Sequence, residues 1–277
     1  MRTWVNGRLV EGSEAVVSVF DHGLTVGDGV FETVKVVDGV PFALGRHLGR
    51  LARSADGMGL PAPDLERART GCAAVVAQAP VGLHRLRITY TPGIAPLGSG
   101  RGDAEPTLVI AIAPMGTWPE TATVARVPWP RNERGALTGL KTTSYGENVV
   151  ALAHAHRLGA AEALFADTQG RLSEGTGSNV FVVVGGRLLT PSLSSGCLAG
   201  VTRALLLEWT DAAEAELPVE VLDEADDLFL ASTTRDVQSV AAIVWDNGVR
   251  TIAEAPGPVT REAAAVFAKR SLEDPEP

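Results

Sequence analysis

The chain has 277 residues, 45% of them apolar, and a formal net charge of −9, enough to bury a sizeable core divided between two domains. Its acidic residues are scattered and it has no run of Lys or Arg, which excludes the clustered basic surface that nucleic acid or an anionic membrane requires. The opening MRTWVNGRLV lacks the form of a signal peptide, no stretch approaches 18 unbroken apolar residues, and Cys72 and Cys197 lie far apart, so the expectation is a cytoplasmic protein with reduced thiols.

In chain order, TWVNGRLV carries an Asn-Gly hairpin signal, and AVVSVF and VFETVKVV follow as strands, with Lys35 on the solvent face of the last. In LGRHLGRLARSADGMGL, Leu44, Leu48 and Leu51 recur at helical spacing, while Arg46 and Arg50 stand four apart on another face. A helix over Asp64 to Gln78 precedes the strands RLRITYT and PTLVIAIAP. The proline-rich, polar PMGTWPETATV reads as an interdomain link between domains 1–115 and 121–277. Beyond it the pattern predicts a strand over 121–127, a helix over Glu147 to Leu158, strands EALFAD and NVFVVVGGRLLT, and a helix over Val201 to Trp209. Strands DDLFLAS and SVAAIVW and a last helix, TREAAAVFAKRS, complete a mixed chain of the α+β class.

Several motifs fail on geometry. His154 and His156 stand two apart on a predicted helix and point roughly 200° apart, so they cannot clamp one metal, and no metal is expected. GDG at 27–29 is a turn signal without a Walker-type lysine, and RGD at 101–103 reflects composition. No nucleophile elbow is present.

Three features fit one another. Lysine is scarce, only Lys35, Lys141 and Lys269 against abundant arginine, and Lys141 follows a glycine turn in GLKTTSYGENVV. An amine in a partly desolvated pocket can trap an aldehyde as a Schiff base. In RLSEGTGSNVF, Glu174 sits in a tight glycine- and hydroxyl-rich turn, where a carboxylate could keep a heterocyclic nitrogen protonated, or could equally be a plain surface group. In CLAGVTRALLLEW, Gly200, Val201 and Thr202 open a helix whose free N–H groups suit a phosphate, although Thr202 also reads as an ordinary N-cap. Ser232, Thr233 and Thr234 add hydroxyls, and Arg50 adds a cationic fork. An aldehyde-trapping lysine, a carboxylate for a ring nitrogen and a phosphate seat together describe pyridoxal 5′-phosphate.

The blocks GDGVFETVKV, RHLGRL, LKTTSYGENVVA, LSEGTGSNVFVV and LAGVTR, in this order, resemble those of the class IV aminotransferases, the fold-type IV pyridoxal-phosphate family. The resemblance spans nearly the whole chain, from VNGRLV to STTRDVQSV. It implies a small N-terminal α/β domain, a larger C-terminal pseudo-barrel domain, and a homodimer. It makes Lys141 the Schiff-base lysine and Glu174 the partner of the pyridine nitrogen. Arg50, Thr202, Thr233 and the amide of Val201 become the phosphate ligands. Tyr145 falls near the cofactor's phenolic oxygen, with one residue fewer between it and the lysine than branched-chain enzymes have.

On the substrate side, D-amino acid aminotransferases hold the α-carboxylate with a tyrosine after GDGV and an Arg-x-His pair. The corresponding residues here are Phe31, Leu97 and Ser99. Branched-chain enzymes have an arginine where Arg87 stands, but TTS replaces their GGN after the lysine. The stretches TPGIAPLGSGRGD, PWPRNERGALTGLK and FDHGLTVGDGVFET look most like the 4-amino-4-deoxychorismate lyases, some of which carry threonine where Glu32 stands. The resemblance therefore implies a lyase that releases pyruvate and forms 4-aminobenzoate, a folate precursor. The alternative is a class IV aminotransferase acting on branched-chain or other amino acids. Either takes a small-molecule amino substrate beside Phe31, with Arg87 and Arg101 as the available cations for its carboxylates. An idle cofactor-binding homologue would lack Lys141 or Glu174, and both are present.

Overall fold

In the computed structural model, which describes residues 2–277, the chain forms two compact units. The first comprises residues 2–117, 140–145 and 274–277, and the second residues 118–139 and 146–273. The grouping differs from one cut near residue 118, because hydrogen bonds return two later segments to the first unit. The Phe31 N–H donates to the Lys141 carbonyl at 3.0 Å, and the Ala43 N–H to the Pro275 carbonyl at 2.7 Å.

The first unit contains β1 (Arg2–Val5), β2 (Arg8–Glu11), α1 (His22–Thr25), β3 (Val30–Val37), β4 (Val40–Pro41), α2 (Leu44–Gly57), α3 (Leu65–Val76), β5 (Leu83–Thr91) and β6 (Thr107–Pro114). Its six strands form an antiparallel sheet in the order β2-β1-β6-β5-β3-β4. Strand alternation turns Val34, Val36, Leu86, Ile88, Ile110 and Ile112 onto the face covered by Leu48 and Leu51 of α2 and Cys72 and Val75 of α3. Each fully buried aliphatic contributes roughly 1.5–3 kcal/mol. Residues 15–20, expected as a strand, pair with no neighbouring strand, and Val16, Val17, Val19 and Phe20 are exposed.

The second unit contains β7 (Thr121–Arg126), α4 (Gly146–Arg157), β8 (Glu162–Ala166), β9 (Leu172–Gly175), β10 (Asn179–Val184), β11 (Arg187–Pro191), α5 (Val201–Trp209), β12 (Ala213–Ala215), α6 (Val221–Glu224), β13 (Asp227–Ser232), β14 (Asp236–Trp245), β15 (Gly248–Thr251) and α7 (Pro258–Glu273). The sheet runs β12-β11-β10-β13-β14-β7-β8-β9, with β15 added on β14. It curls until β9 lies against β10 and β11, as a pseudo-barrel does. Valines and leucines of β10 and β13 fill its interior. The expected run NVFVVVGGRLLT is a hairpin, bent at Gly185 and Gly186, whose φ of +55° and +76° suit glycine.

Candidate active site

Lys141 is held by its backbone before its side chain does anything. Its N–H donates to Ser54 Oγ of α2 at 3.1 Å, its carbonyl takes the Phe31 N–H of β3, and Thr142 forms a bridge with Val30. The next two residues close onto the GDG turn. The Thr143 N–H donates to the Gly29 carbonyl at 2.8 Å, and the hydroxyls of Thr143 and Ser144 both donate to the Gly27 carbonyl, at 2.8 and 2.9 Å. Gly27 has φ +72°, and a Cβ there would lie 2.8 Å from Ser144 Oγ. A Cβ on Gly29 would lie 3.0 Å from the Tyr90 carbonyl oxygen. The two glycines let the lysine segment lie down on β3, a role the sequence reading of GDG as a simple turn did not supply.

The side chain meets an aromatic pair. Lys141 Nζ lies 3.5 Å from the Tyr145 hydroxyl and 4.4 Å from the Phe31 ring centroid. Phe31 and Tyr145 stand edge to face, 5.1 Å apart at 75°. The guanidinium of Arg87, on β5, lies 3.7 Å from the same Phe31 ring, with its Nε donating to Thr89 Oγ1 at 3.3 Å. So the structure gathers Lys141, Tyr145, Phe31 and Arg87 in one place.

Arg50 is on α2 with its fork around Glu32: Nε donates to Oε1 and Nη2 to Oε2, both at 2.7 Å. His47, one turn earlier, stands with Nδ1 2.7 Å from Oε2. Glu32 and His47 have no exposed side-chain surface. Burial alone would raise the Glu32 pKa, but the charge and hydrogen bonds of Arg50, with the His47 bond, hold it at about 2. Burial lowers the His47 pKa against the pull of Glu32, so His47 is neutral and Nδ1–H is the donor. The pair takes two of the five guanidinium N–H donors of Arg50.

Arg101 lies elsewhere, among different partners. Its Nε and Nη2 grip Asp28 at 2.7 Å each, and Nη1 and Nη2 donate to the carbonyls of Gly59 and Met58 at 2.8 Å. The expected carboxylate-binding cation is thus bound to an internal carboxylate and the end of α2.

In the second unit, Glu174 stands next to last on β9. Its Oε2 accepts the Leu198 N–H at 2.9 Å, and its Oε1 lies 3.5 Å from Nε of Arg131. Arg131 is the residue the sequence reading missed. Its guanidinium lies 4.3 Å from the Phe165 ring centroid, and Nη1 donates to Asn148 Oδ1 at 3.1 Å. Asn148 in turn donates to the Thr176 carbonyl at 2.6 Å.

The tight turn after Glu174 is built around a second unforeseen carboxylate. Buried Glu162 accepts the N–H groups of Ala163 and Thr176 at 3.1 and 3.0 Å, the Thr176 hydroxyl, and Ser178 Oγ at 3.1 Å. A Cβ on Gly175 would lie 3.2 Å from the Glu162 carboxylate carbon, which accounts for the small residues in EGTGS.

Helix α5 begins at Val201 with Gly200 as an N-cap that offers no side-chain acceptor. Its first N–H groups therefore have no partner within the helix, the arrangement that receives an anion. A Cβ at Gly200 would collide with Asn179 Oδ1. Thr202 is buried in the first turn. Thr233 is half-buried in the turn after β13, where the Arg235 N–H closes on the Ser232 carbonyl at 3.1 Å. Leu198, two residues before the N-cap, holds Glu174, so one short segment links the carboxylate to the anion seat. Each unit by itself carries groups of the kind pyridoxal phosphate takes: the first an amine beside a phenol, the second a carboxylate and an uncapped helix N-terminus. Among the described residues no cluster could hold a metal ion and no helix is long and apolar enough to cross a membrane.

The profile of the Amino-transferase class IV family matches residues 29–243. A Methanocaldococcus jannaschii protein, provisionally assigned as a branched-chain-amino-acid aminotransferase, is 33% identical over 261 residues, 88% of each chain. The aminodeoxychorismate lyase of Bacillus subtilis is 29% identical over 254 residues, 84% of each. A hypothetical aminotransferase from Mycobacterium tuberculosis, solved in its PLP-bound form, superposes with a TM-score of 0.87 at 26% identity, covering 99% of this chain and 100% of that one.

Proposed function

Because the chain belongs to the class IV aminotransferases, a family of pyridoxal-phosphate enzymes, we propose that it is a 4-amino-4-deoxychorismate lyase. The observation that carries this is the setting of Lys141, an amine against the flat face of Phe31 with the Arg87 guanidinium on the same ring. A carboxylated, partly unsaturated cyclic amine suits such a surface, and the lyase-like stretches 91–103 and 128–141 and the Bacillus relative support it. Phe31, Leu97 and Ser99 supply none of the carboxylate donors expected of a D-amino acid enzyme.

Bound at Lys141, pyridoxal phosphate supplies an electron sink for the amine-bearing carbon. Arg87 anchors a substrate carboxylate. The amine of Lys141 would remove the proton from that amine-bearing carbon, with the Tyr145 hydroxyl 3.5 Å away to orient it. Glu174, steadied by Arg131 and Leu198 N–H, is the partner for a pyridinium. Val201 N–H, Thr202, Thr233 and Arg50 would hold its phosphate. With that proton taken, the neighbouring ring C–O bond breaks and its electron pair leaves on oxygen, the ring becomes aromatic as 4-aminobenzoate, and the released enolpyruvate takes up one proton to become pyruvate.

One observation favours transamination as the second reading: Arg101 is bound to Asp28, so Arg87 is the carboxylate anchor in the first unit, as suits a monocarboxylate amino acid. The Methanocaldococcus relative agrees. The test is pyruvate release from 4-amino-4-deoxychorismate by PLP-loaded protein with no amino acceptor present. Equal pyruvate and 4-aminobenzoate over many turnovers supports the lyase. No pyruvate, with conversion of the cofactor to its pyridoxamine form by branched-chain amino acids, replaces it with the aminotransferase. A homodimer belongs to the same proposal, and the exposed Val16, Val17, Val19, Phe20 and Leu24 supply apolar surface for a second copy.

A further inference from the structure

His22 offers two ring nitrogens, and each faces an acceptor. Nδ1 lies 2.7 Å from Asp28 Oδ2, and Nε2 lies 3.0 Å from the Gly98 carbonyl oxygen. A neutral imidazole has one N–H, so one of these contacts would set two lone pairs against each other. Only the imidazolium satisfies both.

The bond to Gly98 matters because of how its loop is attached. Its first part is tied by backbone: the His22 N–H donates to the Gly93 carbonyl at 2.8 Å, Asp21 bridges Ile94, and the Ala95 N–H donates to the Phe20 carbonyl at 3.1 Å. From Leu97 to Arg101 the loop is attached through side chains, His22 to Gly98 and Arg101 to Asp28, Met58 and Gly59. Asp28 takes both the histidine and the arginine, so one carboxylate joins both ends of the attachment.

We infer that His22 is a positioning residue whose imidazolium, with Asp28 and Arg101, clasps the loop bearing Leu97 and Ser99 beside β5, and that the clasp opens when His22 loses its proton. The part of this that concerns substrate rests on the proposed function, in which that loop is substrate-side. The charged groups around the ring are Asp28, Arg101 and Asp21, whose carboxylate is occupied by the Gly23 N–H and the Thr91 hydroxyl. The bond to Asp28 and then the bond to Gly98 raise the His22 pKa, outweighing burial and the Arg101 charge, while the Arg101 bonds chiefly lower that of Asp28. A raised histidine pKa places the closed clasp on the acid side: it is complete below the ordinary histidine value and lost as pH rises through the raised one.

The experiment uses the PLP-loaded full chain and its His22→Arg variant, which is charged at both pH extremes. Nitrogen-15 NMR of the His22 ring follows its protons, and trypsin cleavage after Arg101, normalised to a reference peptide at each pH, follows the loop. The wild type should show both ring nitrogens protonated at pH 6.5. Its cleavage should quicken about tenfold as His22 titrates, an opening free energy change near the lower end of that for local opening, while the arginine variant stays flat. The KM for the amine substrate should rise over the same span with kcat little changed, and His22→Arg should abolish that rise. A singly protonated ring at pH 6.5, or cleavage that ignores the titration, overturns the clasp. If NMR and cleavage behave but KM does not move, the positioning role falls. Because NMR and cleavage need no turnover, an error in the proposed substrate would show separately.

Discussion

The first unit holds a histidine, a carboxylate and an arginine together twice, and the two sets behave oppositely. In each, a histidine Nδ1 stands 2.7 Å from a carboxylate that an arginine also grips through Nε and Nη2. Around Glu32, the carboxylate and His47 are wholly buried, and the histidine is neutral. Around Asp28, the arginine side chain is 36% exposed and the histidine has a second acceptor in Gly98. Burial drives the one histidine to give up its charge, while the bond to Asp28 and then the carbonyl at the far nitrogen make the other keep it. Identical donors and acceptors thus yield a rigid plug under β3 in one case and a releasable clasp in the other.

Removing a carboxylate should separate them most strongly. Glu32→Gln removes the buried carboxylate that Arg50 and His47 both engage and should destabilise the fold by about 3–5 kcal/mol in urea unfolding. Asp28→Asn leaves Arg101 its bonds to Met58 and Gly59 and some water, so about 1–2 kcal/mol is expected. Equal losses would mean that burial does not distinguish the two sets.

Stability against pH sharpens the contrast. Glu32 is held at about 2 against an ordinary 4.5, so its contribution is complete above 4.5 and fades as pH falls toward 2, an effect of about 3 kcal/mol. His47 works in the same direction, since its lowered pKa makes protonation below 6.5 costly in the fold. The acid limb of a stability–pH curve should therefore flatten in Glu32→Gln, and the alkaline limb in His22→Arg. A variant that flattens the wrong limb refutes the assignment of charge states.

These two sets also show what a sequence can and cannot reveal. Lys141, Glu174 and the opening of α5 were legible because each stands in a local pattern: a glycine turn, a tight hydroxyl-rich turn, a helix start. Most helices and strands were legible from periodicity, and α5 runs Val201–Trp209 as expected. Arg50 suggested a phosphate ligand, but its bond to Glu32 depends on α2 packing across β3, which no spacing along the chain encodes. Arg131 and Glu162 were missed because their partners stand 14 to 43 residues away, at Asn148, Glu174, Thr176 and Ser178. AVVSVF failed for the converse reason: it is rich in β-branched residues, but no strand lies beside it.

Arg131 offers a third carboxylate pair, looser than either of the others because Nε is 3.5 Å from Glu174 and no fork forms. Arg131→Met keeps the bulk against Phe165 and removes the charge. With Leu198 N–H still in place, it should weaken PLP retention by roughly ten- to hundredfold, the value of one lost charge-assisted contact. Fluorescence titration with PLP reads this directly, and unchanged binding would reduce Arg131 to a packing residue.

The smallest effect expected lies under the lysine itself. Thr143 and Ser144 hydroxyls share one acceptor, the Gly27 carbonyl, at nearly equal distances. Ser144→Ala leaves that carbonyl satisfied by Thr143, and Ser144 is exposed, so the loss should be under about 1 kcal/mol. Thr143→Val likewise leaves one donor, yet its own N–H to Gly29 holds the backbone. The double variant strips the carbonyl of both hydroxyls, and the two losses should then exceed their sum, because only the second removal leaves the acceptor without a side-chain donor. Simple additivity in a double-mutant cycle would show that the lysine segment is held by its backbone bonds to Phe31, Ser54 and Gly29 alone, with the GDG turn serving to make room.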